Sequence, residues 1–408
     1  MRTARNSILS FVLAGGIGKR LYPLTVERTK PSVPFGGKYR IIDFALSNLI
    51  NSGLYSIYVL VQYKSQSLIE HVRTSWKKTG FLPEHFITIV PPQMRREEIQ
   101  EAFYRGTADS IYQNINLIYD FNPRMVAVFA GDHIYRMDVR QMIDQHTKTK
   151  ADLTIAVTPI DGRYASEFGI VKFNSAGRIT EFQEKPKDCK EKTLFASMGN
   201  YIFNAGALVD TLEEMIETTK SHDFGHDIIP YLIKKKAKVY AYDFSTNRIP
   251  DMKKYEAPYY WRDVGTIDSY WRANMDLLGE HPVIDLANRA WPVYASSTDL
   301  PPSYTIDTVL DNTLVGAGMR GHSAVVRNSI LGRGVIIEKG AQIIDSIIMD
   351  FTVIGKNCRI KKAIIDRYNT IPAGTSIGLS KEADAKKYFL DQSGIVVVKR
   401  GERKKPWY

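Results

Sequence analysis

The stretch Leu13-Ala14-Gly15-Gly16-Ile17-Gly18-Lys19-Arg20-Leu21 is poor in side chains and carries two cations near its end. Placed after a strand, such a loop lets backbone N–H groups approach phosphate oxygens closely, so Gly15, Gly16 and Gly18 are candidate phosphate-cradling residues. It is not a Walker loop, because no Ser or Thr follows Lys19, nor a G-x-G-x-x-G dinucleotide fingerprint, because Leu21 stands where the last glycine belongs. Arg20 offers a planar fork and Lys30, followed by Pro31, a point charge; both suit a polyphosphate, although either cation in isolation is ordinarily solvated surface. Asp132 follows Gly131 after the apolar run Met125 to Ala130, where a carboxylate can hold a divalent cation between phosphates; a turn or helix-capping aspartate fits the position equally well.

Up to about residue 280, apolar β-rich runs alternate with helical patterns, the rhythm of βαβ units and a Rossmann-like, mixed but mostly parallel sheet of the α/β class. Ile8 to Leu13, Ile57 to Val61, Met125 to Ala130 and Leu153 to Val157 read as strands. Ser65 to Lys78 places Leu68, Ile69, Val72 and Trp76 at helical spacing, and Asp109 precedes Ile111, Ile115 and Ile118 as an N-cap. Ligands of such sheets sit beyond the carboxyl ends of the strands, which is where the glycine loop and Asp132 fall. Residues 281–302 are rich in proline and lose periodicity, as a linker does. Beyond it, Leu331, Ile337 and Ile343, then Ile348, Ile354 and Ile360, then Ile365, Ile371 and Ile377 step by six, and successive triplets start 17 residues apart. One inward aliphatic per six residues, with glycines at Gly332, Gly334, Gly340, Gly355 and Gly374 for turns, describes a triangular parallel β-helix rather than a sandwich, whose strands alternate with period two. Three units follow: 1–280, a linker at 281–302, and 303–408.

Composition narrows the partners. In 408 residues no apolar run reaches the ~18 residues of a membrane span, and Cys189 and Cys358 allow at most one disulfide, which points to a reducing, cytoplasmic setting. The basic start, Met1 to Arg5, imitates a secretory signal, but the apolar run after it is short and enters the glycine turn. A net charge of +11 favours anionic ligands; without zinc spacing or a long basic tract, phosphorylated small molecules fit better than nucleic acid, and Arg403-Lys404-Lys405 reads as a solvated tail.

The string L-A-G-G-x-G-x-R-L-x-P-L-T followed by Lys30-Pro31 resembles the signature of nucleotide-sugar pyrophosphorylases, and F-G-G-K-Y-R-I-I-D-F-A-L-S-N from Phe35 to Asn48 resembles the ADP-glucose pyrophosphorylases among them. Tyr104 to Asp109, Ala130 to Tyr135, Glu184 to Pro186, Ala196 to Gly199, His222 to Gly225 and Tyr260 to Thr266 follow in that family's order, covering nearly the whole chain. The resemblance implies adenylyl transfer from ATP to glucose 1-phosphate, a nucleotidyltransferase domain followed by a left-handed parallel β-helix, Mg²⁺ as cofactor, anionic metabolite effectors and a homotetramer. It further implies Asp132 and Asp263 as metal ligands, with Arg20, Lys30 and Lys185 completing the catalytic set. ATP contacts fall on Gly15, Gly16, Gly18, Arg20, Lys30, Gln62, Gly106 and Thr107. Those to glucose 1-phosphate fall on Tyr104, Gly169, Glu184, Lys185, Ser197 and Asp223, with Trp261 either lining the sugar pocket or belonging to the core.

Arg28, Arg40 and Arg400 match effector positions of the family, whereas Glu27, Pro34 and Asp120 replace cationic or imidazole residues there, and His226 replaces a lysine beside the sugar pocket. Joining two polyanions calls for positioning and cation clamps more than for acid–base groups. Use of another nucleoside triphosphate, or a non-catalytic regulatory subunit, are the alternatives within the family. Acyl transfer by the β-helix would require a catalytic histidine, and His322 lies before the regular coils.

Overall fold

The computed structural model describes residues 8–76, 84–92, 103–187, 189, 191–215, 222–295 and 300–403. The basic start of the chain, Lys78 of the expected helix and Lys404-Lys405 lie outside them. Strand β1 (Ile8–Leu13) is buried on both faces, with Leu9 and Phe11 in one core and Ile8 and Val12 in the other. That double burial is why its sequence is a continuous apolar run. It pairs in parallel with β2 (Ser56–Leu60) and β4 (Met125–Ala130), and β3 (Phe86–Val90) extends the sheet beyond β2. The order β3-β2-β1-β4 reverses at β1, so the chain leaves the neighbouring tips of β1 and β4 in opposite directions and opens a crevice there. Beyond β4 the sheet turns antiparallel through β8 (Thr193–Asn204), which also pairs with β5 (Leu153–Asp161) and β6 (Gly169–Phe173); β7 (Ile179–Glu184) closes the edge and β9 (Val239–Asp243) runs parallel to β5. The expected strands are present to within a residue at their starts.

Helix α1 (Ile42–Asn51) and α2 (Gln66–Ser75) cover one face; α3 (Thr107–Tyr112) lies over the other. Of the expected stripe Leu68, Ile69, Val72 and Trp76, Ile69 is only part-buried and the rest are buried, with Trp76 at the C-cap just past the helix end. Asp109 corrects the sequence reading: Gly106 is the N-cap of α3, and Asp109 lies inside the first turn, where its carboxylate accepts the Arg105 N–H at 2.8 Å. Residues 300–403 form the parallel β-helix. Leu331, Ile348 and Ile365 stack in register, as do Ile337, Ile354 and Ile371, and Ile343, Ile360 and Ile377, all buried. The corner glycines divide by role: Gly334, Gly340 and Gly374 adopt positive φ, whereas Gly332 and Gly355 are needed because a Cβ would come within 2.6–2.7 Å of the next coil's backbone.

A third apolar cluster joins the two halves, with Phe35, Phe44 and Tyr270 packed against Ile330, Ile347, Ile364 and Val397. The proline-rich stretch after residue 280 is no free linker. Ile284 and Trp291 are buried, and Asn51 and Ser47 of α1 bond Pro292 O and Tyr294 N at 2.9 Å. The sequence missed this because a strap anchored by isolated side chains has no period. Among the described residues no helix is long and apolar enough to cross a membrane.

His146, in the helix Val139–Thr149, is buried with Nδ1 2.8 Å from Thr154 Oγ1, and burial lowers its pKa from 6.5 to about 4. His71 is lowered as well, by burial that outweighs Asp43. Each imidazole is charged in the unfolded chain before it is charged in the folded one, so stability falls as pH drops below about 6.5, at up to about 1.4 kcal/mol per pH unit for each group. Urea unfolding between about pH 7 and 5 should record this decline, and His146→Gln should remove His146's share, leaving that of His71.

Candidate active site

Above the tips of β1 and β4 lies an open cleft of about 550 Å³, lined by Gly15, Gly16, Gln62, Tyr104, Gly106, Thr107, Asp132, Glu184, Lys185 and Asp223 among others. Its floor is tied together by Ala14 N–H donating to Leu60 O at 2.9 Å and Gly131 N–H donating to Leu13 O at 3.0 Å. Gly18 holds the far end of the loop in a left-handed conformation (φ +64°) that most side chains resist, and a Cβ there would meet Lys30 Cβ at 3.0 Å. The loop thereby folds directly over the stem of Lys30, whose hydroxyl-bearing neighbour Thr25 donates to Gly18 O at 3.0 Å.

The charged centre is built by a two-stranded ribbon. Trp261–Asp263 runs antiparallel to His133–Tyr135 with Asp263 opposite His133, so Asp263 and Asp132 are brought side by side from 131 residues apart in sequence. Lys30 Nζ donates to Asp263 Oδ1 at 2.5 Å and to Asp132 Oδ2 at 3.0 Å, and its side chain is only 7% exposed. Burial alone would lower the Lys30 pKa; the two carboxylates reverse that and hold it above its ordinary value. Burial alone would raise Asp132, but Lys30 and then His133 bring it down to about 2. Arg20 reaches Glu167 at 3.0 Å and Asp263 at 3.5 Å from a largely exposed position. Asp132, His133 and Asp263 present ligand atoms within 4.8 Å of one another, a donor set rich in hard oxygen that suits a divalent cation.

Across the cleft, Glu184 occupies a notch with no room to spare. A Cβ on Gly225 would stand 2.5 Å from Glu184 Oε2 and one on Gly169 2.7 Å from it. Lys185 turns out of the strand end at positive φ (47°) and places its ammonium 3.1 Å from Glu184 Oε1. Thr107 donates to Asp223 Oδ2 at 2.7 Å and accepts from Phe224 N–H at 3.0 Å, while Asp223 Oδ1 accepts from Gly225 N–H at 2.8 Å. Gln62 leans on Gly15 and donates to Tyr104 O at 3.2 Å, and Tyr104 Oη accepts from Asn114 at 3.1 Å.

Seven expected residues do not line the cleft itself: Gly18, Arg20, Lys30 and Asp263 form the adjoining charged centre, and Gly169, Ser197 and Trp261 support the wall. Ser197 accepts Gly199 N–H at 3.3 Å in the irregular part of β8 and thereby supports Gly199, which does line the cleft. Gly169 borders Glu184. Trp261 packs edge-on against His133 and Phe168, with ring centres 5.0 and 5.2 Å away. Sequence reasoning assigned no role to His133, Glu167, Tyr201 or Phe224. Of these His133 and Phe224 carried a signal, their places beside Asp132 and Asp223; the others arrive through tertiary contact. The expected effector cations are already engaged. Arg28 is buried against Asp366, Arg40 donates to Ser32 and Ser67, and Arg400 pairs with Glu27 at 2.6 Å.

A strand-end glycine loop, a buried lysine between two carboxylates and a polar notch opposite define a nucleotidyl transferase. Residues 9–280 match the family model described as nucleotidyl transferase, and residues 304–398 match a GlmU-like C-terminal hexapeptide. The chain belongs to the glucose-1-phosphate adenylyltransferase family. It is 47% identical to the glucose-1-phosphate adenylyltransferase of Thermodesulfovibrio yellowstonii, with 98% of each chain covered. It is 45% identical to that of Thermus thermophilus, covering 97% of this chain and 99% of the relative, and 43% identical to that of Deinococcus radiodurans, covering 97% and 98%.

Proposed function

We propose that this protein joins ATP and α-D-glucose 1-phosphate into ADP-glucose with release of pyrophosphate, as a supply step for glucan synthesis. What supports it most is a cleft lined by Asp132 on one side and by Glu184 with Lys185 on the other, with Lys30 and Asp263 joined to Asp132 at its margin. A phosphate oxygen of the sugar attacks the α-phosphorus, the bond to the β-phosphate's bridging oxygen breaks, and pyrophosphate departs opposite. Arg20 and Lys30 neutralise the triphosphate, and backbone N–H groups of Gly15, Gly16 and Gly18 cradle it. Gln62, Gly106 and Thr107 border the nucleotide. Lys185 takes the sugar's phosphate; Glu184, fixed in its notch, accepts hydrogen bonds from sugar hydroxyls, flanked by Tyr104 and Asp223. Asp132 and Asp263 would hold Mg²⁺, which supplies charge stabilisation to the phosphates when bound and takes its remaining ligands from water and substrate.

In the same reading the chain divides at about residues 280 and 303, supported by the two matched ranges. Assembly into a homotetramer is supported by the exposed apolar residues Tyr304, Ile306, Val309 and Leu310 at the first β-helix coil. Control by an anionic metabolite at Arg28, Arg40 and Arg400 requires that anion to displace Glu27 from Arg400 and to reach Arg28, which is buried against Asp366. The two cysteines are both free, in keeping with a cytoplasmic location.

Purified protein with Mg²⁺ should release pyrophosphate fastest from ATP with glucose 1-phosphate; preferential turnover of UTP, dTTP or GTP in competition would overturn the adenylyl assignment, and no turnover at all would leave a regulatory subunit. Asp132→Asn should cut kcat by at least about a hundredfold while thermal melting stays near wild type, since a polar isostere loses charge but little packing. Gly225→Ala should push Glu184 out of its notch and raise the KM for glucose 1-phosphate about tenfold or more with the KM for ATP little changed, a loss of about 1.4 kcal/mol of sugar binding. An unchanged sugar KM would take Glu184 out of the binding site.

A further inference from the structure

The position of the Lys30 ammonium has a consequence for how a divalent cation enters. A cation shared by Asp132 and Asp263 would sit about 2.1 Å from one oxygen of each. Lys30 Nζ already lies 2.5 and 3.0 Å from one oxygen of each; Lys30 and Asp263 are nearly buried and Asp132 is 33% exposed on the cleft side. A cation on those same two oxygens would overlap the ammonium, and one on the other oxygens of the pair would face a like charge close by, so the two positive centres compete for the aspartates. The Lys30 stem is pinned beneath Gly18, next to the glycine loop, so the ammonium is tethered within the region where a triphosphate would lie.

We propose that Lys30 is an exchangeable occupant of the cation position: without nucleotide its ammonium fills the space between Asp132 and Asp263, and it is released to the triphosphate when a divalent cation takes that space. This rests on the reading of Asp132 and Asp263 as the cation's ligands. The ammonium keeps two neighbouring carboxylates compensated in the empty enzyme. It also makes cation binding without nucleotide unfavourable, because a buried charge must leave a good pair for no new one. The triphosphate supplies the new partner, so cation and nucleotide bind with positive coupling.

The probe is Mn²⁺, with free ion counted by electron paramagnetic resonance, in the full-length protein with and without the unreactive α,β-methylene analogue of ATP. Wild type should bind Mn²⁺ weakly alone and about tenfold or more tightly with the analogue. Lys30→Met should bind Mn²⁺ about tenfold more tightly than wild type without nucleotide and lose most of the coupling. Removing any nearby positive charge raises cation affinity somewhat, so Arg20→Met serves as the control: Arg20 also touches Asp263, at 3.5 Å, but does not lie between the two aspartates. Equal effects of the two substitutions, or Mn²⁺ affinity unchanged in Lys30→Met, would overturn the exchange. Should Lys30→Met fail to fold, reductive methylation of wild type followed by mass spectrometry decides the matter. Lys30 should be protected in metal-free protein and become reactive at saturating Mn²⁺ alone; continued protection would overturn the proposal. The nucleotide-free Mn²⁺ affinities and the methylation at Mn²⁺ alone involve neither base nor sugar, so turnover of a different triphosphate would sink the adenylyl assignment and leave these results standing.

Discussion

Two carboxylates held side by side in a sheltered cleft are the constraint on which the site depends. With ligand oxygens within 4.8 Å of one another, their mutual repulsion is of the order of 3–4 kcal/mol at an effective dielectric of about 20, which would drive Asp132 and Asp263 apart or protonate one of them. The ribbon His133–Tyr135 with Trp261–Asp263 prevents the first, because Ile134 and Tyr135 are buried beneath it and cannot shift without opening the core. Lys30 prevents the second, which is why Asp132 remains ionised at about 2 despite its burial. Backbone pairing fixes the distance and the ammonium makes that distance tolerable.

Placing Lys30 in turn involves the distant β-helix. The segment between Arg20 and Lys30 is fastened to it at three points: the Tyr22 ring against Phe389 at 5.5 Å, Glu27 to Arg400 at 2.6 Å, and Arg28 to Asp366 with both side chains only 1% exposed. The third is the strongest restraint, since removing one partner of a buried ion pair strands the other and typically costs about 3–5 kcal/mol. Arg28 is two residues from Lys30, so the β-helix bears on the geometry of the charged centre without touching the cleft. The apolar cluster of Phe35, Phe44 and Tyr270 with Ile347 and Ile364 packs the two parts together at this junction.

How much of this could be read from the chain follows from the range of the interactions. The nine aliphatics of the β-helix were legible because neighbouring coils impose the same constraint every 17 residues, and the strands because double burial admits few polar residues. The glycine loop and Asp132 were legible because each lies directly after a strand. Asp263 entered through family resemblance alone. Its pairing with Lys30 spans 233 residues, and no local pattern encodes it. Asp109 was misplaced by three positions because Gly106, a weaker capping signal, is drawn into that role by the contact of Ala108 and Asp109 N–H groups with His222 O. The effector cations were recognisable as charges but not as engaged charges, since Asp366 and Glu27 lie far from Arg28 and Arg400 in sequence.

Under the proposed function the two sides of the cleft would achieve selectivity by different means. On the sugar side the constraint is shape: Glu184 is confined by the missing side chains of Gly169 and Gly225, so its oxygens can serve only a partner that matches their fixed directions. A fixed acceptor discriminates well, because a ligand that fails to satisfy it leaves a polar group unpaired. On the phosphate side the constraint is charge, and charge is forgiving of geometry. Lys30 and Arg20 each already contact a carboxylate, which under the proposed function a phosphate oxygen would replace. A reaction between two anions needs both properties, since a site made only of cations would bind any polyphosphate, and one made only of fixed hydrogen-bond partners would leave the approaching charges unscreened. Dividing the tasks between opposite walls lets a rigid notch choose the acceptor while an adaptable cation cluster accommodates the donor.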